Sequence, residues 1–228
     1  MYTTESDQTS SGGAMRFRDR RDAGCQLAAR LQAEGLRDPV VLALPRGGVP
    51  VAFEIANTCE APLDVFVVRK VGAPQHREFG IGAIAEGGVT IRDDAAMRMV
   101  GVSPERFEQL ADDERRELAR RVHLYRGDRA LPDPTAHDVV LVDDGLATGV
   151  SAQAAIAAMH AWDARRVVLA VPVSAQDTAA RLSATADVVC LATPAGFSAV
   201  GEWYDDFKQT SDEEVLDLLT RARDARGQ

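Results

Sequence analysis

Five short runs dominated by Val, Leu and Ile constrain most strongly how this chain can fold: "VVLAL" (40–44), "DVFVVR" (64–69), "DVVLVDD" (138–144), "RVVLAVP" (166–172) and "ADVVCLA" (186–192). Most are apolar throughout rather than at every second position. A strand with one wet face alternates; one covered on both faces does not, and parallel sheets are covered on both faces. Segments of helical character lie between most of the runs. "DRRDAGCQLAARLQAEG" (19–35) carries Ala23, Leu27, Ala28 and Leu31 at helical spacing. Residues 49–58 follow the first run, 149–162 the third and 174–184 the fourth. The alternation predicts a doubly wound α/β fold: a mainly parallel five-stranded sheet flanked by helices, with right-handed crossovers.

Residues 70–137 break that rhythm. "IGAIAEGGVTIR" (81–92) predicts a β-hairpin turning near Gly87 and Gly88. "SPERFEQLADDERRELARRVHLYRG" (103–127) predicts a long charged helix with Ser103 as N-cap, Pro104 as first residue and Gly127 as stop. Its charges read as a solvated face. The chain closes with an aromatic cluster, "GFSAVGEWYDDF", and an acidic helix starting near Ser211. A length of 228 residues suits one domain with an elaboration. That domain is expected over 15–228, with a hairpin and helical insertion at 70–130. The polar stretch 1–14 lacks an apolar h-region, which predicts a disordered tail rather than a secretory signal, with Met15 as a candidate start.

Composition excludes several classes. A net charge of −9 argues against non-specific nucleic-acid binding, which needs a basic footprint. Cys25, Cys59 and Cys190 are widely spaced with no CxxC pair, against a zinc site or disulfide framework and for a reduced, cytoplasmic protein. No apolar run approaches the ~20 residues of a spanning helix, so no membrane partner is expected. His76, His123, His137 and His160 read as structural or surface residues.

The chemistry sits in the loops after the runs, since ligands in an open α/β sheet bind at the carboxyl ends of its strands. Asp143 and Asp144 end the third run, and "GLATGVS" (145–151) leads from them into a helix. Gly145 and Gly149 allow close backbone approach, Thr148 and Ser151 add hydroxyls, and a helix start presents free N–H groups and a positive dipole end. Together these make a phosphate cradle beside two carboxylates suited to the vicinal hydroxyls of a ribose. There is no GK[ST] and no GxGxxG, so neither a Walker loop nor a dinucleotide fingerprint is present. The acids also lack the Asp-x-Asp spacing of aspartate-phosphorylating hydrolases. A second strand-to-helix loop, "LALPRGGVPVA" (42–52), offers Arg46 as a fork-shaped cation and Gly47 and Gly48 as free backbone around an anion. A third piece, "VVRK" (67–70), ends the second run, and the Gly- and Pro-containing stretch 71–80 after it suits a hinged lid.

"VVLVDDGLATGVSA" resembles the PRPP-binding signature of the type I phosphoribosyltransferases. "DRRDAGCQLAARL", "FGIGAIAEGG", "LYRG" and "AVGEWYDDFKQTSDEEV" are similar to a bacterial subgroup of that family, so the likeness covers about 16–220. The resemblance implies Mg²⁺-dependent transfer of ribose 5-phosphate from PRPP to a nitrogenous nucleophile, with release of pyrophosphate. It assigns the ribose hydroxyls to Asp143 and Asp144, and the 5′-phosphate to Ala147, Thr148, Gly149, Val150 and Ser151. Pyrophosphate falls to Arg46, Gly47 and Gly48, in a loop that often holds a cis peptide, and to Arg69 and Lys70. Arg46, Lys70, Asp143 and Asp144 become the catalytic set. Mg²⁺ would sit near Asp143, Asp144 and Asp205, mostly through water or substrate. A hood built from 16–36 and 193–228 would offer Phe197, Trp203 and Tyr204 to stack on the acceptor. Ala147 stands where 6-oxopurine enzymes carry a base-contacting Asp, which disfavours that substrate class. The family further implies a homodimer acting on small molecules in nucleotide metabolism; the alternative is a non-catalytic PRPP-sensing regulator.

Overall fold

A computed structural model describes residues 16–227, so the expected tail at 1–14 and start at Met15 lie outside the described residues. The five runs do build one sheet. Strands β1 (Pro39–Ala43), β2 (Leu63–Val65), β6 (Asp138–Val142), β7 (Arg166–Val173) and β8 (Asp187–Ala192) lie in the order β2-β1-β6-β7-β8, every neighbour parallel.

Why the runs do not alternate is visible in where their side chains go. Val41, Ala43, Val140, Val142, Val168 and Ala170 enter one core. Their immediate neighbours Val40, Leu42, Val139, Leu141, Val167, Leu169 and Val171 enter the other. Successive strand residues point to opposite faces, so a strand buried twice must be apolar twice. Helices α1 (Arg20–Leu31), α2 (Gly48–Thr58) and α7 (Asp212–Asp224) cover the first face; α5 (Val150–Ala161) and α6 (Gln176–Leu182) cover the second. The expected hood residues therefore divide. Most of α1 and α7 belong to the core layer, while Phe17 pairs with Tyr204 as a separate small cap over the strand ends.

The second run is not one strand. β2 ends at Val65, and β3 (Val68–Ala73) begins a second, antiparallel sheet with β4 (His76–Ala85) and β5 (Thr90–Arg92). A buried ion cluster ends the first strand. Arg126, at the end of α4 (Pro104–Arg126), bonds the Val65 carbonyl, Asp64 at 3.3 Å and Glu86 at 2.6 Å. Glu86 also accepts the Val67 amide at 2.7 Å. Residues 71–80, expected as a hinged loop, instead form the paired end of β3, a tight turn at Pro74 and Gln75, and the start of β4. Val71 and Ala73 alternate into a satellite core with Ile81, Ile84 and Phe107 of α4, and that burial makes the segment a strand. The expected hairpin at 81–92 is present as β4 and β5. A short helix not read from the sequence, α3 (Asp94–Met99), follows it, its amide at Ala96 bonded by Asp93. The long helix begins at Ser103, whose side chain accepts the Arg106 amide, and ends at Gly127. No helix among the described residues is long and apolar enough to cross a membrane.

Candidate active site

The carboxyl end of β6 meets the start of α5 in a cavity of about 220 Å³. Lys70, Asp143, Asp144, the turn 145–152 and Val200 line it. The turn is shaped from outside. Its Leu146 carbonyl accepts from the Ala175 amide at 2.9 Å, its Ala147 carbonyl from the Thr178 hydroxyl at 2.7 Å, and its Thr148 carbonyl from Arg181 at 2.6 Å. With these three carbonyls engaged by α6 and the residue before it, the first-turn amides of α5 are left without helical partners, as at any helix start. Gly149 caps α5 at φ +70°, and a Cβ there would lie 2.6 Å from Thr178. Only glycine fits both the backbone and the space.

The PRGG loop folds directly against the two acids. A Cβ on Gly47 would sit 2.0 Å from Asp144 Oδ2, so the glycine lets loop and carboxylate touch. The Pro45–Arg46 peptide is cis. Arg46 leans towards the start of α7, with one nitrogen 3.7 Å from Asp212. That separation is too long for a hydrogen bond.

Asp143 and Asp144 are unequal. Asp143 accepts the Asp144 amide at 2.9 Å. Burial and the neighbouring Asp144 charge push its carboxyl well above the usual range, against a backbone bond, Lys70 and Arg20. Burial raises Asp144 too, opposed by the Arg20 guanidinium. The Arg20 Nε donates to Asp144 Oδ2 at 2.8 Å, and its Nη2 forms an ion pair with the same oxygen at 2.8 Å. The Tyr204 hydroxyl donates to the Asp144 backbone carbonyl at 2.6 Å.

The two members of the Arg-Lys pair part company. β3 sends successive side chains to opposite faces. Lys70 reaches the cavity, whereas Arg69 bonds Glu114 of α4 at 2.7 and 2.8 Å and is not brought to it. The expected stacking aromatics are also displaced. Tyr204 is 2% exposed, locked against Phe17, and has no free face for a base. Phe197 and Trp203 are partly buried against the same small core. Asp205, next along the chain, points the other way and pairs with Arg16 at 3.1 Å in solvent. That leaves Asp143 and Asp144 as the carboxylates lining the cavity, and no group of three metal-binding side chains exists among the described residues. His137 bonds Asp38 and His160 bonds the Thr185 carbonyl, both at the surface.

Sequence reasoning missed Arg20, Val200, Thr178 and Arg181. Arg20 lies within the quoted "DRRDAG" stretch, but nothing local says that it reaches across 124 positions to Asp144. Thr178 and Arg181 look like ordinary surface residues of a short helix.

Comparison with known proteins gives one family. Residues 20–204 match the family described as phosphoribosyl transferase domain. A Mycobacterium tuberculosis (H37Rv) protein, Rv0571c, provisionally named a phosphoribosyl transferase, is 48% identical over 207 residues, covering 90% of this chain and 47% of the relative. Its counterpart in strain CDC 1551, MT0597, with the same provisional name, matches equally. The chain thus spans about half the length of these curated relatives. The crystal structure of TT1426 from Thermus thermophilus shares 46% identity and superposes with a TM-score of 0.79 over 91% of this chain and 99% of that one.

Proposed function

The chain belongs to the phosphoribosyl transferase domain family, and from that premise we propose that it transfers ribose 5-phosphate from PRPP to a nitrogen nucleophile, releasing pyrophosphate. The observation that carries this reading is the 220 Å³ cavity, where two carboxylates, one lysine and a helix-start cradle face the same space. An anion over the first turn of α5 would meet oriented N–H groups and a positive helix end. Asp143, buried beside the Asp144 charge, would gain from a cation or from donor hydroxyls placed against it. Asp144 keeps a second acceptor oxygen, Oδ1, since Arg20 takes only Oδ2.

Displacement at C1 leaves positive charge on the sugar and negative charge on departing pyrophosphate. The protein contributes position and field rather than a covalent partner. Lys70 sits where it can hold the leaving group, and Arg46, whose contact with Asp212 is a long 3.7 Å, can turn to it. Arg69 is omitted from this set because Glu114 holds it elsewhere. The donor set suits Mg²⁺: two carboxylates are too few to cage an ion, which fits a cation that keeps its waters and takes substrate oxygens. When bound, the ion would neutralise pyrophosphate charge; Asp143 and Asp144 would accept its waters. Val200 gives the cavity an apolar wall suited to the face of a base, and Ala147 offers no carboxylate to that base.

Calorimetry with Mg²⁺ and PRPP tests the donor half. The parent protein should bind and the Asp143→Asn/Asp144→Asn double variant should not; a parent without affinity refutes the reading. Pyrophosphate release across a panel of purines, pyrimidines and small amines then identifies the acceptor.

A further inference from the structure

Arg20 links the carboxylate of Asp144, in the cavity wall, to the cap above it. Two of its nitrogens hold Asp144 Oδ2. Its third, Nη1, donates to the Lys208 carbonyl at 2.6 Å. The face of its guanidinium lies 3.9 Å from the centre of the Phe207 ring, and Phe207 in turn packs on Tyr204 at 5.0 Å. Only 11% of the Arg20 side chain is exposed, and 16% of Asp144. The planar fork is suited to this, because it fixes several acceptors at set angles, which a lysine cannot do. The cap has other ties. The Tyr204 hydroxyl reaches the Asp144 backbone carbonyl, Arg16 bonds the Tyr204 carbonyl and pairs with Asp205, and the Phe17, Asp205 and Asp206 amides bond the Trp203, Phe17 and Arg18 carbonyls around a small apolar core. Among these, the Arg20 contact is the side-chain tie to the Asp144 carboxylate itself.

We propose that Arg20 is a positioning residue that joins the cap to the sugar-binding carboxylate, so that seating the donor and closing the cap become one event. The Nε hydrogen bond and the Nη2 ion pair of Arg20 both fall on Asp144 Oδ2, which restrains that carboxylate and leaves Oδ1 for the incoming sugar. A donor hydroxyl on Oδ1 strengthens that fixed geometry, and the same guanidinium holds residues 207 and 208 in place. Coupling of this kind is reciprocal: whatever the cap gains from donor binding, donor binding gains from the cap. This inference rests on the donor reading above, and its test separates the two.

Amide hydrogen exchange of residues 204–208 is followed with and without Mg²⁺·PRPP in the parent, Arg20→Ala, Arg20→Lys and Phe207→Ala proteins. In the parent, PRPP should slow exchange of the cap. In Arg20→Ala, ligand-free cap exchange should rise at least tenfold while α5 is unchanged, and PRPP should no longer slow it. Arg20→Lys should regain part of the PRPP affinity without regaining the slowing. Phe207→Ala, which keeps the Arg20–Asp144 joint, should loosen the cap and weaken PRPP binding together, and PRPP should still slow its exchange. Equal slowing by PRPP in the parent and Arg20→Ala overturns the coupling. A parent that binds no PRPP overturns the donor reading; the joint is then decided without ligand, and is refuted if Arg20→Ala exchanges its cap amides at the parent's rate.

Discussion

Single atoms decide whether this cavity works. Adding one methyl group at Gly47 places carbon 2.0 Å from Asp144 Oδ2, and the obstacle is a side chain already tied to Arg20. Gly47→Ala should abolish PRPP binding by calorimetry while leaving the far-ultraviolet circular dichroism of the parent. Asp143 carries a pH signature. Its folded-state pKa is raised, so the folded chain holds a proton that the unfolded chain has released, and stability falls as pH climbs from the ordinary carboxylate range through the raised value. Asp143→Asn should therefore raise the ligand-free melting temperature at pH 7, by roughly 2–4 °C for each kcal/mol relieved. The gain should vanish near pH 3, where both states are protonated. At this scale the sequence was half legible. Asp143, Asp144 and the 145–151 turn are contiguous, and contiguity is what a sequence displays. Arg20 and the reversed fates of Arg69 and Lys70 depend on a helix and a sheet face that meet only in three dimensions.

Elements read well wherever burial imposes a period. β6 is apolar at every residue after Asp138 because both of its faces are covered, and the sequence says so plainly. The run at 64–69 looked identical and was two strands, because the signal that parts them, Arg126, lies some 60 positions downstream. That arginine is 6% exposed, and Asp64 and Glu86 are 7% and 8% exposed. Removing it leaves two buried carboxylates without a cation, a loss of roughly 3–5 kcal/mol for a broken buried pair. Arg126→Met should lower the urea midpoint accordingly, and should misplace the root of β3 that carries Lys70. The triple replacement Arg126→Met/Asp64→Asn/Glu86→Gln should recover part of that midpoint, because it strands no charge and keeps acceptors for the Val65 and Val67 amides.

For the molecule as a whole, donor binding should register as stability. A ligand that binds only the folded chain adds about 2.7 kcal/mol at a hundredfold excess over its Kd, roughly 5–10 °C for a chain of this size. Differential scanning fluorimetry with Mg²⁺·PRPP should show that rise in the parent and not in Asp143→Asn/Asp144→Asn. The cradle behind that effect has a consequence for borrowing it. Three of its carbonyls are held by Ala175, Thr178 and Arg181, some thirty residues from the turn. What looks in the sequence like a cassette is therefore only the inner lining of a mould whose outer wall is α6. Grafted onto another strand and helix without that wall, "DDGLATGVS" would carry the letters of the signature and collapse around its own carbonyls. Any transplant has to move both pieces together.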